Sequence, residues 1–537
     1  MKVIEMVLVL PGLALFLALC LYQIELPGLH YDEAREAGVP AMQLITGKPV
    51  EAFRGAGVRL FGAFLPLMVQ DYIGALNVYL VLPFLGLFGI NVFALRLMPI
   101  ACAALSLLLA YCLARELFGR RAAAITYILL AVNPSFIFWS RQGIFVTSVT
   151  VPLSLGALLC FLRWWRSGRA IYLCVGAFLL GLGLYAKLLF IWFIGAAAFS
   201  LLILGWGRWR PFRQIGGQIA LAFLPFVAGL SPLLLYNLQT GGTFEAVKNN
   251  LVSSYYGTSN LAFLPNLLTR LDQFKALVEG GNLEYLGRIF PDRVFPDRFL
   301  WPAAVVGTLT IALWPGGERE ARRKALFPFL VMAFFILESC FTVSALWLTH
   351  YALLTQWPPL ALGAALDFLA RRNLGKAVLA LPMAAVALLT VTDLHLDLSY
   401  HQALRESGGL GDHSEAIYTL AESLEERGLA GPLALDWGFA AQVEFLTKGR
   451  VRPLEIFGYE WATDPAFAAR LAPFLTQEDA IYIFRSPEVE LFHRREAFEE
   501  IVAKAGRAIQ VEEVIPNRNG QPIFLITTLP QVSEPGG

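Results

Sequence analysis

The segment "GLHYDEAREAG", Gly28 to Gly38, sets two adjacent carboxylates, Asp32 and Glu33, just past the first apolar run of the chain. A carboxylate at a bilayer edge is suited to general-base work, with a lipid-borne substrate on one side and an exported acceptor on the other. The loop that follows adds Arg35, Glu36, Lys48, Glu51, Arg54, Arg59 and Asp71. Further along, "NPSFIFWSRQG" places Arg141 at a span end, "GLGLYAKLLF" places Lys187 at another, and "LTHYALLTQW" places His350 and Tyr351 at a third. Cations and donors of this kind hold phosphate. Taken singly, Lys187 reads as an anchor snorkelling to the headgroups and His350 as a structural histidine. Their recurrence on the same face as the carboxylates is what gives them a joint meaning.

The elements that must position these groups are membrane helices. The chain has 537 residues, 57% hydrophobic and 15% charged, whereas a soluble globular chain carries about 25% charged residues. A formal charge of +1 gives no case for nucleic acid as a partner. All six cysteines lie in apolar runs without metal-ligand spacing. Runs long enough to cross a bilayer, about 20 residues each, fall near 5–24, 92–114, 122–139, 144–163, 170–186, 188–206, 214–236, 299–315, 325–343, 348–368 and 376–394, which makes about eleven spans. The first reads as a retained signal anchor. The stretch 72–90, interrupted by Pro83 and glycines, is expected to be re-entrant or to lie on the surface.

Arginines and lysines test this layout through the positive-inside rule. They gather at 115–121, 163–169, 208–213, 319–324 and 371–376, in alternate connections. Those connections, with the N-terminus, are therefore expected in the cytoplasm. The Asp32–Glu33 segment and everything after Leu394 are expected outside. The tail returns to ordinary composition, with short apolar runs "PLALDW", "AIYIF" and "PIFLITTL" between helical stretches "EAIYTLAESLEERG" and "REAFEEIVAKAG". That alternation predicts a small α/β domain. The chain thus divides into a membrane domain, 1–395, and an extracytoplasmic domain, 396–537.

The order of "DE…EAG", Arg96 in "FALRLMP", "NPSFIFWSR", "GLGLYAK" and "HYALLTQWPPLALGAA" resembles the GT-C superfamily of integral membrane glycosyltransferases. It is most similar to the protein O-mannosyltransferase and lipid A aminoarabinose transferase group, glycosyltransferase family 39-like, over residues 1–395. The resemblance implies a mainly α, polytopic GT-C bundle that moves a hexosyl or pentosyl group from a polyprenyl-phosphate donor, with inversion, to an extracytoplasmic protein, lipid or glycan. It implies Asp32 as base beside Glu33, and Arg141, Lys187, His350 and Tyr351 as the donor-phosphate group. Asp71 and Arg59 are auxiliary candidates. His350–Tyr351 stand where the family usually has Arg-Tyr.

Two departures bear on metal use. Glu36 stands where many relatives have tyrosine, and no Asp or Glu occurs from Leu117 to Phe244, where many relatives carry a second acid. A divalent cation wants oxygen ligands from more than one segment, so a metal-independent enzyme is expected, with phosphate charge met by Arg and Lys. His395, Asp397, His401, Asp412 and His413 read as a polar linker rather than a metal site. Two readings of other classes compete: a transporter or flippase of lipid-linked sugars, and an inactive membrane scaffold.

Overall fold

The computed structural model describes residues 3–530 except 61, 143–146, 206–211, 253–258, 281–300, 303–304, 310–312, 315–318, 343–347, 372–375, 462–463 and 478. Most of the expected spans appear as helices. They are Val3–Leu21, Val92–Leu117, Thr147–Ser167, Ala170–Ala186, Phe190–Gly205, Phe212–Thr240 and Arg319–Ser339. In the stretch 299–315, residues 299–300, 303–304, 310–312 and 315 lie outside the described residues. Among the described residues, three helices are long and apolar enough to cross a membrane, or four if a bent pair counts as one.

That bent pair corrects the uninterrupted run 122–139. Arg120–Ala131 and Pro134–Gln142 meet at 59°. The cause is local: Pro134 cannot continue a helix, and the Asn133 side chain accepts from the Phe136 N–H at 2.9 Å, capping a new start. The stretch 348–368 is likewise divided, into a 3₁₀ segment Leu348–Leu354 and a helix Trp357–Ala370 that begins with two prolines. Leu76–Phe88 is a helix of 13 residues, shorter than a bilayer needs. Helices Ala170–Ala186 and Phe212–Thr240 approach closely, because a Cβ on Gly181 would stand 2.1 Å from the Phe226 carbonyl oxygen. Small residues permit such backbone contact between membrane helices.

The bundle has two chemically distinct ends. At one, Glu116 binds Arg163 at 2.9 Å and Arg166 at 3.3 Å, and Arg371 donates to the Phe118 carbonyl. The basic connections 115–121, 163–169 and 371 therefore meet. The other end carries Asp32, Lys187, Asp71 and the tail.

The tail holds a five-stranded mixed sheet, ordered Leu454–Glu455, Leu433–Ala434, Tyr482–Arg485, Pro522–Thr528, Gln510–Pro516. The first three strands run parallel and the remaining pairs antiparallel. Helices Ala416–Glu426 and Arg495–Lys504 fall on the two helical stretches read from sequence. The boundary expected at 395 lies inside one helix, Lys376–Ser407, which runs unbroken out of the bundle.

The tail is not a separate bead. Leu29, Tyr31, Ala34 and Met42 share one apolar cluster with Ile417, Leu420, Phe439, Val443, Ile483 and Phe524. Docking is closest at Gly28, whose N–H donates to the His413 carbonyl at 2.8 Å. A Cβ there would stand 2.1 Å from the Ser414 carbonyl oxygen, so no larger residue fits without moving the tail. Gly28→Val is therefore expected to cost about 1–3 kcal/mol, as overpacking does, and to open 408–415 to protease. Melting and limited proteolysis in detergent check this; an unchanged digest would show the contact to be slack.

Candidate active site

The carboxylates sit on an unusual turn. A short helical segment, Tyr31–Glu33, passes into a π-helical turn, Ala34–Gly38, and then into α-helix Val39–Thr46. His30 caps it: its Nδ1 accepts from the Asp32 N–H at 3.2 Å, and its own N–H donates to Glu33 Oε1 at 3.2 Å. This reciprocal capping box satisfies two backbone donors at once. π-turns recur at functional sites because the extra residue re-aims side chains.

The adjacent acids have different fates. Glu33 is buried and doubly bonded to buried Arg96, Nη2 to Oε1 at 2.7 Å and Nε to Oε2 at 2.9 Å. Arg96 spends its remaining donors on the carbonyls of Ile24, Pro27 and Gly28, at 2.6, 2.9 and 3.1 Å. Glu33 is thus committed to holding the segment that leads into the turn, which makes it a positioning residue. Asp32 is 21% exposed, and among the described residues its carboxylate accepts no hydrogen bond. Burial raises its carboxyl above the ordinary range, opposed by His30 and Lys187.

Glu36 joins Asp32 on the same side of the turn. Gln70 Nε2 donates to its Oε1 at 3.1 Å, and its buried Oε2 has no partner among the described residues. Burial and the neighbouring Asp32 charge push Glu36 well above the usual carboxylate range. Lys187, buried just past helix Ala170–Ala186, is within electrostatic reach of both acids. Its backbone is pinned by a bridge to Ile73 and by the Leu188 N–H donating to the Tyr72 carbonyl at 3.0 Å. Sequence reading passed over Glu36 as a departure from a pattern. Its i+4 spacing from Asp32 on one helical turn was the available signal.

The remaining sequence candidates stand elsewhere. Arg141 donates to the carbonyls of Tyr22 and Gln23, both at 2.8 Å, and Cys20 at 3.4 Å, closing the end of the first helix; its Nη1 is unpartnered among the described residues. Tyr351 is fully buried, stacked obliquely toward Phe335 and near Arg270. His350, half-buried beside it, meets the Thr349 hydroxyl at 3.4 Å. Asp71 accepts from Arg54 Nη2 at 2.8 Å and Tyr236 Oη at 2.6 Å, tying the loop to helix Phe212–Thr240. Arg59 is exposed on a hairpin strand, Gly57–Leu60. The tail was not expected at the site, yet it walls it. Tyr31 packs on Trp437 with centroids 4.8 Å apart and meets the Tyr459 hydroxyl at 3.3 Å, and Gln43 reaches Glu444 at 3.3 Å.

An apolar helical bundle with an acidic turn at one end under a small mixed-sheet domain is the fold of the GT-C membrane glycosyltransferases, and the chain carries helices apolar enough to cross a membrane. Residues 76–236 match the family model for dolichyl-phosphate-mannose-protein mannosyltransferase. Among solved structures, the chain is similar to ArnT from Cupriavidus metallidurans bound to undecaprenyl phosphate, at 14% identity and a TM-score of 0.62, over 96% of this chain and 97% of that one. The apo form of the same protein gives 13%, 0.63, 96% and 97%. The Archaeoglobus fulgidus oligosaccharyltransferase tethered to an acceptor peptide gives 13% identity and a TM-score of 0.52, over 90% of this chain and 69% of that one. No curated protein matches the chain by sequence.

The Glu33–Arg96 pair is testable by its non-additivity. Breaking a buried pair by removing one partner costs about 3–5 kcal/mol. Glu33→Gln and Arg96→Met are each expected to lower thermal stability by that order, and the double variant to lose less than the two singles together. Strict additivity would show that the side chains act independently.

Proposed function

We propose that this protein is a polyprenyl-phosphate-sugar-dependent glycosyltransferase that passes a hexosyl or pentosyl group, with inversion, to an acceptor outside the cytoplasm. The observation that carries the proposal is the contrast on one turn: Glu33 is locked in an ion pair with Arg96, while the Asp32 carboxylate accepts no hydrogen bond among the described residues, with His30 at 3.9 Å and the buried Lys187 within electrostatic reach. Asp32 takes the proton of the acceptor hydroxyl. The acceptor oxygen attacks the anomeric carbon from the face opposite the phosphate, and the bond from that carbon to the phosphate oxygen breaks. The polyprenyl phosphate leaves with the electron pair, and Lys187 meets its charge. Glu36, whose carboxyl burial and the Asp32 charge push upward, sets its Oε2, unpartnered among the described residues, beside the base. Arg141 acts at one remove, by fixing the end of the first helix. The match to an undecaprenyl-phosphate-bound ArnT supports the donor class, and the contacts of Trp437, Tyr459 and Glu444 with the turn support an acceptor side under the sheet domain.

Transfer from polyprenyl-phosphate sugars in proteoliposomes tests this. Asp32→Asn keeps the shape of the base but not its basicity, and should lower turnover about 10²–10⁴-fold with donor binding kept. Lys187→Met should weaken donor binding instead. Near-normal turnover of Asp32→Asn would remove the mechanism. Sidedness is checked separately: a reporter fused after Ser407 should be extracytoplasmic and one at Arg166 cytoplasmic. The reverse arrangement would put the acidic turn on the wrong side for an exported acceptor.

A further inference from the structure

Behind the acidic turn lies a second cluster that the reaction does not use. His30 contributes from the turn itself, and Asp412 and His413 from the tail's first loop. The imidazoles of His30 and His413 stack, with centroids 4.4 Å apart and planes at 17°. Asp412 stands across their edges, Oδ2 at 3.6 Å from His30 Nε2 and Oδ1 at 3.6 Å from His413 Nε2. These separations are longer than a normal hydrogen bond. They are close to the roughly 3.4 Å edge of a tetrahedron of N and O ligands around an ion at the usual zinc distances. One ligand atom from each residue lies within 4.8 Å of the others. Both histidines are buried, and His413 Nδ1 has no hydrogen-bond partner among the described residues.

We propose that His30, Asp412 and His413 form a binding site for a divalent transition ion of the zinc class, clamping the tail to the turn that carries Asp32. Two imidazoles and one carboxylate are a donor set that suits zinc and leaves a fourth position for water. The Asp412 side chain is 35% exposed, which gives the ion its entry and the water its place. The far nitrogen of His30, Nδ1, is 3.9 Å from Asp32 Oδ2. An ion on Nε2 leaves the ring proton on Nδ1, so in the loaded site Nδ1 gives up the bond it accepts from the Asp32 N–H and faces the Asp32 carboxylate instead. The ion is a positioning device and stands outside the transfer step. It also spans segments nearly four hundred residues apart in sequence, where Gly28 already brings the backbones together.

The test is metal binding by the full chain in detergent, tag-free, stripped with chelator and then titrated with Zn²⁺ or Co²⁺ alone. One equivalent is expected in the wild type, with Co²⁺ giving the intense visible absorption of a tetrahedral nitrogen–oxygen site. His413→Gln and Asp412→Asn should each bind at least tenfold more weakly, and Zn²⁺ should raise the melting temperature of the wild type only. No stoichiometric binding by the wild type, or full binding by both variants, overturns the site. Should the variants fail to fold, the wild-type Co²⁺ spectrum decides: tetrahedral absorption supports the assignment and a weak octahedral spectrum overturns it.

Discussion

One buried guanidinium organises the acidic end of this protein. Arg96, near the start of a long apolar helix, must satisfy its donors where water does not reach, and it does so on Glu33 and three carbonyls of the 24–28 segment. A buried ion pair of this kind is weak evidence for net stability, since desolvation offsets most of the attraction. Its effect is on register. It fixes where the chain leaving the first helix turns back, and so where the following turn presents Asp32. The capping box of His30 and the close contact at Gly28 then hold the same few residues from the other side.

The tail follows from this constraint. A turn that exposes a carboxylate and buries Tyr31, Ala34 and Glu36 needs cover on its outer face, and the sheet domain supplies it through Trp437, Phe439 and Val443. The apolar cluster so formed contains side chains from both ends of the chain. The membrane part and the tail therefore complete one another around the turn that carries Asp32 and Glu36.

Much of this architecture is legible in the sequence because apolar length and arginine asymmetry are strong signals. Charge distribution alone pointed to the end of the bundle where Asp32 and Lys187 lie, and three of the tail's five strands fall on the short apolar runs, while Leu454–Glu455 and Gln510–Pro516 do not. What was not legible depends on long-range contact. Nothing in "YDEAREAG" says that the second acid will be taken by Arg96 and the third turned toward Lys187. Arg141 carries a motif that suggests phosphate, yet its guanidinium caps the first helix. Asp412 and His413 read as part of a linker because their partner, His30, is hundreds of residues away. The break at Asn133–Pro134 was visible as a cap followed by a proline, but apolar averaging over the run concealed it.

The central claim is that the lipid phosphate is received beside Lys187, with Asp32 left open to the acceptor under the tail. A structure of the chain with a polyprenyl phosphate bound tests it most directly. The account predicts the phosphate within hydrogen-bonding distance of the Lys187 ammonium, its lipid descending along the bundle, and no ligand atom on Glu33. A phosphate seated instead near Tyr351 and Arg270, with Lys187 still turned to Glu36 and Asp32, would contradict it.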